Sequence, residues 1–579
     1  MKSNIILIIA LMTNSHSYAS PEQFNSFLKS SWDEDLRDSP EFAYSIGEKG
    51  FADKWSDYGM EGIEHRKQKV RNRYQFLKKF DRSSLPPQDQ VNFDLLLSKY
   101  EISMKGLSFP NEYFAISQLG GIHTRIPAHL DRLPNKTAAD FEIRKKKLLG
   151  IPKIVDQSMQ VLKKGAEKGI TPYHTSIKNV PKQLDGILQD FDKSPITMAY
   201  RDRPTAITKK QWIEIRNEAK TIYNQKVLPS FSAFKKFFVN EYLTKSRKKP
   251  GLSSLTNYPD WYQHRILQNT TLPLTAKEVH KIGIREVKNL KERMKIEMRA
   301  AKHKGDLKSF IRHLKTDPKF FFGSEEDLLN HYMITAKKID MGMPTLFETL
   351  PRLPYGIKKI PDYKAPSSPT AYYQSGHLHS GRAGIFYANT YDLKSRPNWE
   401  IPALTLHEAV PGHHHQISVA QELEGIPQFR KYMHHTAFTE GWALYAETLG
   451  YDIDLYQDPY SRFGQLNYDM WRSIRLVVDT GIHAMGWSRE KAITYFKNNS
   501  ALTDKNIEVE VDRYIAWPGQ ALGYKIGQLT ILDLRKKAVN NLGKGFNIRK
   551  FHTQLLENGS VPLDYLKSYM TGKIGSPKS

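Results

Sequence analysis

FEIRKKKLLGIPKIVDQSMQVLKKG, residues 141–165, decides the fold class. Leu, Ile, Val and Met recur in it at helical spacing, with Lys and Arg on the remaining positions. That period is the mark of an amphipathic helix. Residues 212–227 and 231–243 repeat it, so the chain from about Pro21 to Pro250 reads as successive helices. Helical signals resume at 276–304 and 325–338, and the sequence has no internal repeat or low-complexity segment.

The pattern breaks at 350–371, where LPRLPYGIKKIPDYKAPSSPTA carries Pro351, Pro354, Pro361, Pro366 and Pro369. Each proline lacks an N–H and has a fixed φ, which excludes a helix interior or a central strand. The stretch predicts an extended, packed connection. RAGIFYANTYDL at 382–393 follows, aromatic and β-branched, and reads as a strand. Helix returns from about Pro402. The predicted class is mainly α with a small β element.

The first residues differ from the rest. Lys2, an apolar run over 5–12 and Ser17-Tyr18-Ala19 form a secretory signal cleaved after Ala19. A signal over 1–19 implies an exported protein, periplasmic or extracellular. No later apolar run reaches about 18 residues, which excludes a multi-spanning membrane protein. There are no cysteines, hence no disulfide and no thiolate nucleophile or ligand. Only His, Asp and Glu remain to hold a metal. The net charge of +25 favours polyanions, but no nucleic-acid recognition motif is present. Export also argues against nucleic acid, and attraction to anionic membrane or wall polymers accounts for the charge.

Chemistry concentrates in HEAVPGHHHQ, residues 407–416. A hydrolytic zinc site needs three protein ligands and a water, and its helical version sets two His four residues apart with a Glu after the first. Here His407-Glu408 is followed by Pro411 at the fourth position. On an ideal helix His413 falls about 120° from His407, and His414 lies about 10.5 Å further along the axis. Neither can share an ion with His407 unless the helix is distorted. Pro411 and Gly412 favour a kink or bulge there. A bulge absorbing two residues would make His413 the second ligand, with His414 as the alternate. In TEGWALYAE (439–447), Glu440 and Glu447 face the same way on a helix. Either could be the third ligand, and the other could orient a ligand His.

HEAVPGHHHQ, TEGWALYAE, RSIRLVVDTGIHAMGW (472–487) and VDRYIAWPGQALGYKIG (511–527) together resemble the bacterial family known as domain of unknown function 885. The resemblance covers nearly the whole mature chain and is densest over 382–527. Those proteins look like distant relatives of helical zinc peptidases such as angiotensin-converting enzyme, oligoendopeptidases and thermostable carboxypeptidases. The resemblance implies that His407, His413 and Glu440 hold one zinc ion and that Glu408 is the general base. The length of the chain suggests two helical lobes, expected at 20–260 and 261–579 in one continuous bilobal domain and flanking a catalytic cleft.

In the zinc peptidases, Tyr and His side chains from a later segment stabilise the oxyanion, which makes Tyr514, Tyr524 and His483 candidates here. Arg475 and Arg513 could grip a substrate carboxylate, although Asp479, one turn after Arg475, could hold it in a salt bridge. The strand at 384–389, ending at Asn389, could pair with an extended substrate, with Arg382 at its start. His434 and His435 are not expected to be ligands. The expected function is zinc-dependent hydrolysis of a peptide. A zinc amidohydrolase acting on non-peptide or wall-derived amides, and a non-catalytic peptide-binding protein, are the alternatives. Glu408 argues against the last, since a pure binder needs no base.

Overall fold

A computed structural model describes residues 20–362 and 365–575. The expected signal at 1–19 lies outside the described residues. The protein is mainly α, with one three-stranded sheet among the described residues. No helix among them is long and apolar enough to cross a membrane.

The 141–165 stretch lies within helix Ala138–Glu167. Thr137 begins it: its hydroxyl accepts the Asp140 N–H, and the Asp140 carboxylate accepts the Thr137 N–H. Such a reciprocal cap is worth about 1 kcal/mol. Leu148, Ile151, Val155 and Leu162 then pack with Trp212, Tyr223, Phe231 and Phe238 in a core drawn from 116–242. The other predicted helices are present too. Lys209–Ile222 and Leu228–Phe237 each end in a wider π turn, at Tyr223–Val227 and Phe238–Tyr242.

Two helix pairs frame the later part of the chain. Helix Pro459–Ala484 runs against helix Ala276–Ala300. Gly283 permits the close approach, since a Cβ there would stand 2.7 Å from Val477 Cγ2. Helix Thr436–Ala446 runs against helix Leu522–Leu542. Here glycine meets glycine: a Cβ on Gly527 would lie 1.9 Å from the Ala437 carbonyl oxygen and 2.6 Å from Gly441 Cα.

Helix Pro459–Ala484 is buried on almost every side. It nevertheless carries Asp469, Arg472, Arg475, Asp479 and His483, which at about 100° per residue fall within about 120° of one another. Charges withdrawn from water need partners, and each has one. Lys525 meets Asp469, Glu447 meets Arg472 and Glu510 meets Arg475. The Tyr262 hydroxyl donates to Asp479, and the Leu252 N–H donates to His483. The salt bridge expected between Arg475 and Asp479 is therefore replaced by Arg475–Glu510.

Strands β1 (Tyr355–Lys359), β2 (Ala371–Gln374) and β3 (Gly384–Ala388) form the sheet, in the order β1-β3-β2. β1 is parallel to β3, and β2 is antiparallel to it with Tyr373 opposite Phe386. The proline-rich connection thus contains a strand. Pro354 and Pro361 bracket β1 rather than interrupt it, and β1 is an edge, where proline is tolerated. The strand read over 382–393 narrows to five residues. Because β3 is paired on both sides, it cannot add a substrate strand as expected. The edge beside helix Ile401–Glu408 belongs to β2.

Gly441→Ala and Gly527→Ala should each lower unfolding stability by about 1–3 kcal/mol, the usual cost of overpacking. Urea midpoints would measure it, and unchanged midpoints would show that the two helices separate freely.

Candidate metal centre

Helix Ile401–Glu408 stops directly after the His-Glu pair, and helix His413–Glu422 starts five residues later. The distortion expected around Pro411 is therefore a break between two helices, not a bulge inside one. Gly412 makes the break possible, because a Cβ on it would sit 1.9 Å from the His407 carbonyl oxygen. The His414 N–H reaches back to the Ala409 carbonyl at 3.1 Å. Trp442 Nε1 donates to the Pro411 carbonyl at 2.7 Å, fastening the break to helix Thr436–Ala446.

This geometry brings His407, His413 and Glu440 together, with one donor atom from each within 4.8 Å of the others. Glu440 Oε2 stands 3.5 Å from His413 Nε2 and 3.8 Å from His407 Nε2. Tetrahedral zinc ligands at about 2.0–2.2 Å from the ion are about 3.3–3.6 Å apart. The three side chains therefore fit a tetrahedral ion with little adjustment. Glu440 Oε2 is also buried without a hydrogen-bond partner, a condition that a cation would relieve.

His414 is placed differently. Its Nε2–H donates to the Leu353 carbonyl at 3.0 Å, so its Nδ1 accepts from the Tyr373 hydroxyl at 2.9 Å. Both ring nitrogens are committed to the protein. His415 is fully buried, its ring 4.2 Å from that of Phe347. His435 is held by Ser560.

Glu447 takes the orienting position. Its Oε1 lies 2.8 Å from His407 Nδ1 and 3.4 Å from an Arg472 nitrogen. With Glu447 ionised, the His407 proton sits on Nδ1 and the Nε2 lone pair faces Glu440. Burial pushes Glu447 up to about 8, and Arg472 opposes that rise. Burial drives His407 well below its usual value, and His413 adds to the effect. For Glu440 burial works upward, yet His413 and His407 outweigh it and hold the carboxyl far down.

Glu408 follows His407 and is 7% exposed. Burial pushes its carboxyl up to about 7, Glu440 adds to the rise, and His413, Arg472 and the backbone of Tyr373 in strand β2 oppose it. His407, Glu408, His413 and Glu440 line one cavity of about 790 Å³, together with β2, Tyr468, Trp471, Arg472, Arg475, Arg513 and Tyr524. Gln118, Leu119, Thr124 and Gln183, from the N-terminal half, line the same cavity.

The family of bacterial proteins of unknown function, DUF885, matches residues 40–570. The chain belongs to it. A solved structure described as a "putative lipoprotein" from Colwellia psychrerythraea is similar at TM-score 0.90 and 25% identity, over 96% of this chain and 99% of that one. A second, from Shewanella oneidensis and also described as a "putative lipoprotein", has TM-score 0.70 and 16% identity over 94% and 99% of the two chains. That likeness is one of fold. No curated protein matches the sequence.

In this DUF885 chain the remaining predicted residues divide. Tyr524 and Arg513 line the cavity, and Arg513 donates to the Tyr524 hydroxyl at 3.0 Å. Tyr514 and His483 do not line it. The Tyr514 hydroxyl donates to Glu510 and accepts from Trp471 and Arg475, while His483 bridges the Leu252 N–H and the Tyr514 carbonyl. Both are cross-links behind the cavity wall, not oxyanion donors. Arg382 donates to the Ser45 carbonyl and stands outside the cavity. Asn389 reaches the cavity, but its amide donates to the carbonyls of Ala365, Ser368 and Pro369, which leaves it no donor for substrate.

Arg472 and the β2 edge were missed by sequence reasoning. Arg472 could have been found as a basic residue spaced like Arg475 and Asp479 on an otherwise apolar helix. The β2 edge had no such signal, because its four residues follow the last proline of the connection.

A metal ion held by His407, His413 and Glu440 should bind about 10–100-fold more weakly in Glu447→Ala, the usual effect of losing a residue that orients a ligand His. Gly412→Ala should weaken binding further, since the displaced backbone carries His413. Competition with a chromogenic chelator measures both, and wild-type affinity in Gly412→Ala would show that the break tolerates a side chain.

Proposed function

We propose that this protein is a zinc-dependent metallohydrolase, a peptidase of the cell envelope, with His407, His413 and Glu440 as ligands and Glu408 as general base. The observation that carries this reading is the convergence of two imidazoles and a carboxylate beside a second, buried carboxyl in one cavity. A zinc ion bound there supplies Lewis-acid polarisation of a carbonyl and lowers the pKa of water to about 7.

The protein's own groups do the rest. Glu408 is a carboxyl whose affinity for a proton lies near neutrality, the range in which a side chain both accepts and returns a proton efficiently. It takes a proton from the attacking water and delivers it to the leaving amine. The β2 edge runs along the cavity and presents backbone groups to an extended substrate, which favours a peptide over a compact amide. Tyr524, whose hydroxyl is fixed by Arg513, is the cavity residue suited to donate to a developing oxyanion. The resemblance to helical zinc peptidases agrees with this assignment. The signal-like first 19 residues and the similarity to a Colwellia protein described as a "putative lipoprotein" support export to the envelope.

Metal content and hydrolysis of a mixed peptide library test the reading. Wild type should bind one zinc and cleave peptides. Glu408→Gln should keep the zinc and lose about 10²–10⁴-fold in rate. His413→Ala and Glu440→Gln should lose the metal, whereas His414→Ala should keep it. A zinc-replete preparation without metal, or full activity in Glu408→Gln, would overturn the assignment.

A further inference from the structure

Arg513 projects into the metal cavity from a fixed frame. One terminal nitrogen donates to the Tyr524 hydroxyl and to the Gln520 side-chain oxygen, each at 3.0 Å. The other stands 3.5 Å from Glu510 Oε1. Glu510 is engaged by more than this one guanidinium. Its Oε2 accepts from Arg475 at 2.9 Å and from the Tyr514 hydroxyl at 2.8 Å. Arg475 lies over the rings of Tyr524 and Trp471, at 4.3 and 4.7 Å from their centres. Two guanidiniums thus share one carboxylate, and one positive charge is left over at the cavity wall.

The hydrogen bonds show the same surplus. Arg475 is 2% exposed, and one of its terminal nitrogens is buried without a partner, as is Arg513 Nε. Arg513 is the more reachable of the two, with 19% of its side chain exposed against 2% for Arg475. A planar guanidinium that is held in place and reachable from the cavity is matched best by a carboxylate.

The cavity sets the size of the molecule that carries the carboxylate. A volume of about 790 Å³ lies within the range of small-ligand pockets. Gln118, Leu119 and Gln183, from the N-terminal half, share its lining with His407, His413 and Glu440. Every peptide ends in a carboxylate, whereas an acidic side chain is present only in some. We infer that Arg513 binds the C-terminal carboxylate of a short peptide, with Glu510 and Tyr524 as its positioning residues. This rests on the peptidase reading and makes the enzyme one that trims peptides from the C-terminal end.

Binding without turnover tests this separately from catalysis. Full-length Glu408→Gln protein, zinc-loaded, is titrated by calorimetry with three probes: N-acetyl-trialanine as the free acid, the same peptide as its C-terminal amide, and N-acetyl-Ala-Glu-Ala amide. The free acid should bind at least tenfold more tightly than the trialanine amide. The ratio should fall to about one in Glu408→Gln/Arg513→Gln. Arg513→Lys, which keeps a charge opposite Glu510 and guards against misfolding, should lose most of the ratio and remain folded.

Equal binding of acid and amide would overturn the inference, and so would a ratio that survives both Arg513 variants. A ratio that disappears when zinc is removed but persists in Arg513→Gln would place the carboxylate on the metal and overturn it equally. Tight, Arg513-dependent binding of the glutamyl amide, without preference for the free acid, would reassign the subsite to an acidic side chain and overturn the C-terminal assignment. If the hydrolase reading fails instead, zinc or turnover is lost while the Arg513-dependent preference remains.

Discussion

Glu447 has no surface in contact with water, and a carboxyl so placed is stable only among donors. Much of the site follows from that. Arg472 and His407 are the groups that meet it, and each is fixed by something else. Arg472 lies over the rings of Tyr468 and Trp471 on the buried helix Pro459–Ala484. His407 stands at the end of a short helix that goes no further. The contact thus ties three segments, helices Ile401–Glu408 and Pro459–Ala484 and the turn that holds Glu447, at the point where the imidazole must be aimed. Neighbouring residues on the same stripe tie in two later helices, Asp504–Ala516 through Glu510 and Leu522–Leu542 through Lys525.

Much of this was legible in the sequence, for physical reasons. Helices with a regular apolar face, such as Ala138–Glu167, announce themselves because burial and exposure alternate with the helical period. His407, Glu408 and Glu440 stood out because unusual polar residues were embedded in apolar context. Glu440 and Glu447 both approach His407, one at Nε2 and the other at Nδ1, and which takes which nitrogen is set by the placement of His407 and not by any local pattern. β1 and β2 were harder still. They are five and four residues long, lie among prolines, and owe their existence to pairing with β3.

The residues whose roles differ from expectation share a cause. Tyr514, His483, Arg382 and Asn389 are polar residues in motif-rich segments, and the sequence alone cannot say whether their partners are substrate or backbone. In each case the partners are within the protein: Glu510 for Tyr514, the Leu252 N–H for His483, the Ser45 carbonyl for Arg382 and the 365–369 carbonyls for Asn389. The His483 contact spans 231 residues of sequence and the Arg382 contact 337, while those of Asn389 close an irregular loop. A buried polar group satisfied over such a distance looks, in one dimension, the same as a catalytic one.

The N-terminal helices then acquire a purpose beyond stability. Their core, drawn from 116–242, is separate from the cores that surround the metal residues. Yet the segment at its beginning supplies Gln118, Leu119 and Thr124 to the cavity wall. Gln118 also holds this wall in register, donating to Asp512 at 3.5 Å across 394 residues of sequence and accepting from Asn179 at 3.0 Å. Asp512 is itself gripped by Arg489, and the next residue is Arg513. The N-terminal half therefore meets helix Asp504–Ala516, which carries Arg513, through Gln118 and through helix His174–Ile177. Without that part His407, His413 and Glu440 could still converge, but the space beside them would lose the wall that Gln118, Leu119, Thr124 and Gln183 supply.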